Sequence, residues 1–196
     1  VTWSIGPRNP DLFAAISPGA GGVVPSEGEK TAEVPNYTGV TYNLKNLPIW
    51  FYNSTDDPRV PAGSSIDAAD RLEKLKVQYG AYDFVWKKYT DIGHGTPKEG
   101  LDPIWKWMMS KKRDPLPKRV LWHSSRKYKK HCYWVRRPEG LGKNVDIERD
   151  GNKFTVTGAR GGLWIMVNDK MVKVEESVLV VDEKGVETGT LRARKA

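Results

Sequence analysis

The chain has 196 residues, room for one large or two small domains. Its 38% hydrophobic and 29% charged residues are those of a globular protein, and no apolar run approaches the ~20 residues that a membrane-spanning helix needs. A single cysteine, Cys132, excludes an internal disulfide and a zinc site built from cysteines, and so leaves the redox compartment open. The net charge of +8 is uneven: residues 1–113 hold 14 Lys and Arg against 13 Asp and Glu, a balance of +1, whereas residues 114–196 hold 18 against 11, a balance of +7. The shift falls at Arg113-Asp114-Pro115-Leu116-Pro117, where two prolines interrupt any helix. This predicts two domains, 1–113 and 118–196.

In chain order, Val1 is followed by Thr2-Trp3-Ser4 and not by a basic and then apolar leader, so no signal peptide is expected here. A start at valine is expected to mean missing or processed upstream sequence. Thr2-Trp3-Ser4-Ile5-Gly6 imitates the nucleophile elbow Gly-x-Ser-x-Gly. The tight elbow turn needs small flanking residues, which Thr2 in place of the first glycine and Pro7 after the second fit badly. Ser4 therefore reads as an ordinary helix residue.

Phe13 to Ser17 reads as a short buried strand. Gly19-Ala20-Gly21-Gly22 follows, but a phosphate cradle must lead into a helix N-terminus, and this run leads into Val23-Val24-Pro25-Ser26. It reads as a flexible loop at a cleft rim. The polar stretch onward to Asn46 is long enough to be a lid or substrate wall.

Leu47 to Asn53 is an apolar run of strand length, closed by the turn-forming cluster Ser54-Thr55-Asp56-Asp57-Pro58-Arg59-Val60-Pro61. Ser64 and Ser65 then open a helix, with Asp67 completing a capping box on Ser64. Ile66, Ala69, Leu72 and Leu75 share one face, and Gly80 is the stop. Phe84 to Tyr89 is a second strand, followed at once by Asp91-Ile92-Gly93-His94-Gly95. A carboxylate and a histidine thus each follow the carboxyl end of a strand, and in an open parallel sheet those ends line one crevice. Asp102 is read as the N-cap of the next helix, with Pro103 in its first turn and a core stripe of Leu101, Ile104, Trp105 and Met108. Lys111, Lys112 and Arg113 follow, where the helix dipole favours cations.

Beyond Pro117 the pattern turns to period two. Val120 and Trp122, the aromatic run His131 to Arg137, Val145 and Ile147, Phe154 and Val156, Leu163 to Val167, Met171 to Val174, Ser177 to Val181 and Val186 to Leu191 read as strands. Turns at Asp150-Gly151, Asn168-Asp169 and Lys184-Gly185 separate them. Short strands at this spacing predict a small antiparallel sandwich. Lys118, Arg119, Arg126, Lys127, Lys129, Lys130, Arg136 and Arg137 are interleaved here with Trp122, Tyr128, Tyr133 and Trp134. Such a mixture suits single-stranded nucleic acid or an acidic polymer. Against nucleic acid stand the strand positions of the aromatics, which place one face in a core, and the absence of an RNA-binding signature. His123 and His131 lack a third ligand at metal spacing.

Asp57, Val60 and Pro61 after one apolar strand, then Gly93 and His94 after the next, resemble the C-terminal half of an α/β-hydrolase. The best match is to bacterial esterases and peptidases of the prolyl-oligopeptidase and dienelactone-hydrolase type, over about residues 1–113. Thr2-Trp3, Arg8, Pro10-Asp11-Leu12-Phe13 and Ala14-Ala15-Ile16 match in order the helix after the elbow and the strand beyond it. In that register the nucleophile serine precedes Val1. The resemblance implies an α/β fold, the C-terminal part of a hydrolase parallel sheet with flanking helices, followed by the β domain.

It also implies a serine hydrolase, acting on an ester or peptide, to which this chain contributes the acid Asp57 and the base His94 of a triad, with no cofactor and no metal. Asp56 is adjacent, but neighbours on an extended segment point opposite ways, and the Asp-x-x-Val-Pro spacing selects Asp57. The elbow, the oxyanion-hole strand and the first half of the sheet are not in this sequence. The isolated chain is therefore expected to be inactive, with a missing N-terminal half or a partner chain completing the site and covering the half sheet's edge and apolar face. The alternative is a non-catalytic binding module whose basic, aromatic β domain grips a polysaccharide, a nucleic acid or a partner protein.

Overall fold

The N-terminal unit is arranged around strand β1 (Ile49–Ser54), in which every residue but Trp50 is buried. The computed structural model describes residues 1–21, 38–124, 128–137, 144–158 and 162–192. Most of the polar stretch after Gly21, with Gly22, and the basic residues Arg126 and Lys127 lie outside the described residues. The architecture is mixed α/β, and the chain divides into two compact units, Val1–Asp114 and Pro115–Ala196.

Strand β1 pairs in parallel with β2 (Phe84–Tyr89), with Ile49 opposite Phe84 and Ser54 opposite Tyr89. Helix α3 (Gly63–Tyr79) connects them. A parallel partner cannot follow through a tight turn, so a crossover of this kind is obligatory. Ala68, Ala69, Leu72 and Leu75 supply the buried stripe of α3. Its start differs from the expected capping box: the N-cap is Ala62 and no side chain caps the helix. Ser65 instead lends its hydroxyl to the carbonyl of Gly21 at 2.6 Å.

Residues on β1 alternate between two faces. Phe51 meets the buried Trp3 of helix α1 (Thr2–Ile5) edge-on at 5.0 Å and stacks on Trp86 at 4.8 Å. Trp50, on the opposite face, meets Trp107 of helix α4 (Asp102–Met109) at 5.7 Å. Within α4 only Ile104 is fully buried, Trp107 and Met108 are partly so, and Leu101 and Trp105 face solvent, so the expected core stripe is rotated. The rotation follows from Trp107, which must turn inward to reach Trp50. Leu101 is the N-cap of α4, and Asp102 sits in its first turn.

Phe13 to Ser17 does not form a regular strand. Ile16 and Gly19 bridge in parallel to Ile49 and Tyr52, on the edge of β1 away from β2. Pro18 has no N–H to give to a ladder, which interrupts the pairing. The described part of the glycine run is held in place: Trp3 Nε1 and Ser65 Oγ both donate to the Gly21 carbonyl, at 2.8 and 2.6 Å. Helix α2 (Thr38–Tyr42) and a 3-10 turn at Asn43–Asn46 occupy the end of the stretch read as an irregular loop. Val40, Leu44 and Leu47 are all buried, Val40 in α2, Leu44 in the 3-10 turn and Leu47 in the extended chain just beyond it.

The described residues of the C-terminal unit form two sheets. Five strands are ordered β10 (Glu187–Arg192), β9 (Ser177–Asp182), β7 (Lys153–Gly158), β6 (Asn144–Asp150) and β3 (Arg119–His123). Three short strands, β4 (His131–Cys132), β5 (Val135–Arg136) and β8 (Trp164–Ile165), form the other sheet. One core draws on both, with Trp122, Val145, Ile147, Phe154 and Val178 from the larger and Cys132 and Val135 from the smaller. The five-stranded sheet is not wholly antiparallel: β7 and β9 run parallel. The chain leaves β7 to build β8 in the other sheet and returns in the same direction, which no tight hairpin allows. Met171 to Val174 is a turn and not a strand, with Met171 and Val172 buried. The aromatic run His131 to Arg137 splits into β4 and β5 at a turn where Tyr133 takes φ +53°. Among the described residues no helix is long and apolar enough to cross a membrane.

Candidate active site

Because β1 and β2 are parallel neighbours in register, their carboxyl ends emerge side by side. The turn after β1 begins with the Asp57 N–H donating to the Ser54 carbonyl at 3.2 Å. Asp57 Oδ1 then accepts the backbone N–H groups of Arg59 at 2.8 Å and Val60 at 2.9 Å. Asx turns of this kind are local, which is why Asp suits the first position of Asp-x-x-Val-Pro. The Val60 carbonyl is held in turn by Asn53 Nδ2 at 3.3 Å. One carboxylate oxygen is thus consumed by its own loop, and the other is directed outward.

That second oxygen, Asp57 Oδ2, lies 2.9 Å from His94 Nδ1. The Asp57 side chain is fully buried, whereas 33% of the His94 side chain is exposed. Burial of the Asp57 carboxyl pushes its pKa up, but hydrogen bonds from Val60, His94 and Arg59 outweigh it and hold the group below the ordinary aspartate range. An ionised carboxylate can only accept, so Nδ1 carries the proton of this contact. In the neutral ring the lone pair is then on Nε2, which is free to take a proton from another group.

The histidine loop is shaped by two glycines for different reasons. Gly93 adopts φ +53°, a conformation in which a side chain is strained. At Gly95 a Cβ would lie 2.7 Å from the Ile92 carbonyl oxygen, so no larger residue fits without movement. The loop is further tied by the Lys98–Asp91 ion pair and by Tyr89, whose hydroxyl donates to Glu99. Burial first, and then Glu99, push the Tyr89 pKa upward, so the phenol keeps its proton.

Asp56 takes a different position from its neighbour. Its Oδ1 accepts the Gly93 N–H at 3.0 Å and the Ser54 hydroxyl. Ser54 Oγ in turn accepts the Ile92 N–H at 3.4 Å. The Ser54 bond first, then that from Gly93, hold the Asp56 carboxyl below its ordinary range against an opposing effect of burial. In the sequence Asp56 stands out only as a rival to Asp57, and Ser54 only as the start of a turn-forming cluster. The signal was available in the pattern Ser-x-Asp-Asp, which places three polar side chains on one short turn.

Ser4 lies in α1, a helical turn, with its carbonyl and hydroxyl oxygens 2.9 and 3.4 Å from Arg8 Nη1. In the C-terminal unit the described aromatic residues of the basic cluster differ in exposure. Trp122 and Trp134 are buried in the core, and Trp134 Nε1 donates to the Pro117 carbonyl at 2.9 Å. Arg119 forms a bidentate pair with Asp146 at 2.8 and 2.7 Å. Tyr128 is exposed, and Arg136 stacks over the exposed Trp164 at 4.9 Å. His123 Nδ1 meets Asn144 Oδ1 at 2.7 Å. Among the described residues no group of three or more His, Cys, Asp and Glu side chains could hold a metal ion.

No family model and no curated protein matches the chain. A solved structure, the crystal structure of a thermostable esterase, is similar over 57% of this chain at 23% identity, with a TM-score of 0.38. This chain spans 28% of the length of that one.

Proposed function

We propose that Asp57 and His94 are the acid and base of a Ser-His-Asp triad, and that residues 1–113 are the C-terminal half of an α/β-hydrolase domain carrying an appended β domain over residues 118–196. The reaction is acyl transfer to water, on an ester or a peptide. The nucleophile serine sits on a segment N-terminal to Val1, as the resemblance implies. The observation that carries this reading is the 2.9 Å contact between the buried Asp57 carboxylate and His94 Nδ1 at neighbouring strand tips.

A serine hydroxyl is a poor nucleophile at neutral pH and needs a base in contact. His94 takes that proton on Nε2 as the oxygen attacks the carbonyl carbon, then returns it to the leaving group. Asp57 remains ionised throughout, keeps the imidazole in the tautomer that exposes the Nε2 lone pair, and stabilises the imidazolium. Its two backbone hydrogen bonds stop it from rotating away from the ring.

The test is hydrolysis of a short-chain p-nitrophenyl ester by the full-length protein and by this chain. The full-length protein turns over and the isolated chain does not. Asp57→Asn lowers kcat by about 10^4, through the wrong tautomer, and His94→Ala by at least as much. Activity that survives His94→Ala rules the triad out.

A further inference from the structure

Two adjacent carboxylates reach the same loop by different routes. Asp57 touches the ring of His94, whereas Asp56 touches the backbone one residue earlier, at the Gly93 N–H. We propose that Asp56 is a positioning residue, a latch that holds the histidine loop against the tip of β1 so that the imidazole stays on Asp57. The inference rests on the triad reading only for its consequence in catalysis; the latch itself is a matter of geometry.

Three observations support it. First, the two side chains diverge within the turn that the Asp57 N–H closes on the Ser54 carbonyl, Asp57 reaching the His94 ring and Asp56 the backbone of the histidine loop. Second, the contact is doubled. Ser54, buried at the end of β1, donates its hydroxyl to Asp56 and accepts the Ile92 N–H, so two successive amides of the histidine loop are bound by one Ser-Asp pair. Third, Gly93 has φ +53°, a backbone that is held where its N–H faces an anion. A hydrogen bond from a backbone N–H to a charged oxygen is among the stronger kinds. With φ and the amide both fixed, the next residue, His94, leaves the loop in a single direction.

The substitutions separate this from a general structural role. Asp56→Asn keeps an oxygen able to accept both hydrogen bonds but loses the charge. Asp56→Ala removes the acceptor. Ser54→Ala removes the bridge to Ile92 and leaves Asp56 in place. Nitrogen-15 NMR of this chain reads the result directly, through the exchange rate of the Gly93 amide and through long-range imidazole correlations that show which nitrogen of His94 carries the proton. Asp56→Ala is expected to accelerate Gly93 exchange by about tenfold, the loss of one hydrogen bond to a charged group, and to turn the single Nδ1–H tautomer into a mixture. Asp56→Asn and Ser54→Ala fall between Asp56→Ala and the parent chain. In the full-length hydrolase the same series lowers kcat by about 10- to 100-fold with KM unchanged, the scale of a misplaced catalytic group.

A folded Asp56→Ala chain with the parent's Gly93 exchange and a single His94 tautomer overturns the proposal. If Asp56→Ala does not fold, parent-like values in both Asp56→Asn and Ser54→Ala overturn it. The two readings fail separately. Loss of activity in His94→Ala with an unmoved tautomer in Asp56→Ala removes the latch alone. Retained activity in His94→Ala with a shifted tautomer in Asp56→Ala removes the triad and leaves the latch.

Discussion

Each unit of the chain holds an aspartate against a base, and the two pairs look alike by distance and exposure. Asp57 and His94 meet at 2.9 Å, with their side chains 0% and 33% exposed. Asp146 and Arg119 meet at 2.7 Å, with theirs 11% and 30% exposed. The chemistry left over differs. Arg119 presents Nε and Nη2 to both oxygens of Asp146 across the ladder of β3 and β6, and a guanidinium does not give up its proton at any ordinary pH. His94 spends one ring nitrogen on Asp57 and keeps the other. The Arg119–Asp146 pair ties two strands of one sheet together, whereas the His94–Asp57 pair joins two loops at neighbouring strand tips and leaves one ring nitrogen unused by the aspartate.

The contrast can be broken most sharply by removing one base from each unit of the full-length protein. On the proposed triad, His94→Ala is expected to lower ester turnover by at least about 10^4, whereas Arg119→Met is expected to leave it unchanged. Gly95→Ala comes next. Its Cβ would meet the Ile92 carbonyl oxygen at 2.7 Å, so the histidine loop must shift, and kcat is expected to fall by about 10^2 while the protein still folds. Arg119→Met has its effect elsewhere: about 1–2 kcal/mol of stability lost from the C-terminal unit, read by urea denaturation, because the Asp146 carboxylate is left without its fork.

The smallest effect is on the acid limb of stability. Asp56 and Asp57 are both held below their ordinary range, so their contribution is complete above the unfolded-state value of about 4 and is lost as pH falls through the lower folded values. Thermal melts of the parent chain and Asp57→Asn from pH 7 to pH 2 should therefore converge below about pH 4. A gap that stays constant across that range would mean that the Asp57 carboxylate adds nothing as a charge.

Much of the N-terminal unit was legible because its signals are local. Helix α3 follows from the spacing of Ala69, Leu72 and Leu75 and from Gly80, and β1 and β2 follow from two apolar runs of strand length. Helix α2 is too short to carry a period of its own: the buried Leu44 and Leu47 that follow Val40 lie beyond it. The C-terminal unit was harder. Period-two alternation marked most strands, but not which would pair. The parallel run of β7 and β9 depends on where the chain travels in between, and Met171 and Val172 are buried in a turn that has the composition of a strand.

The amino-acid order by itself determined that an acidic turn follows one strand and a glycine-flanked histidine the next, since turn chemistry and apolar runs act within a few residues. Only the folded chain decided that Asp57 reaches the ring while Asp56 reaches the backbone, and that Trp122 and Trp134 face a core and not a ligand. Which way a side chain points is set locally, by the alternation of a strand or the geometry of a turn, but what it meets there is set by the element packed across from it, and that element comes from tens of residues away.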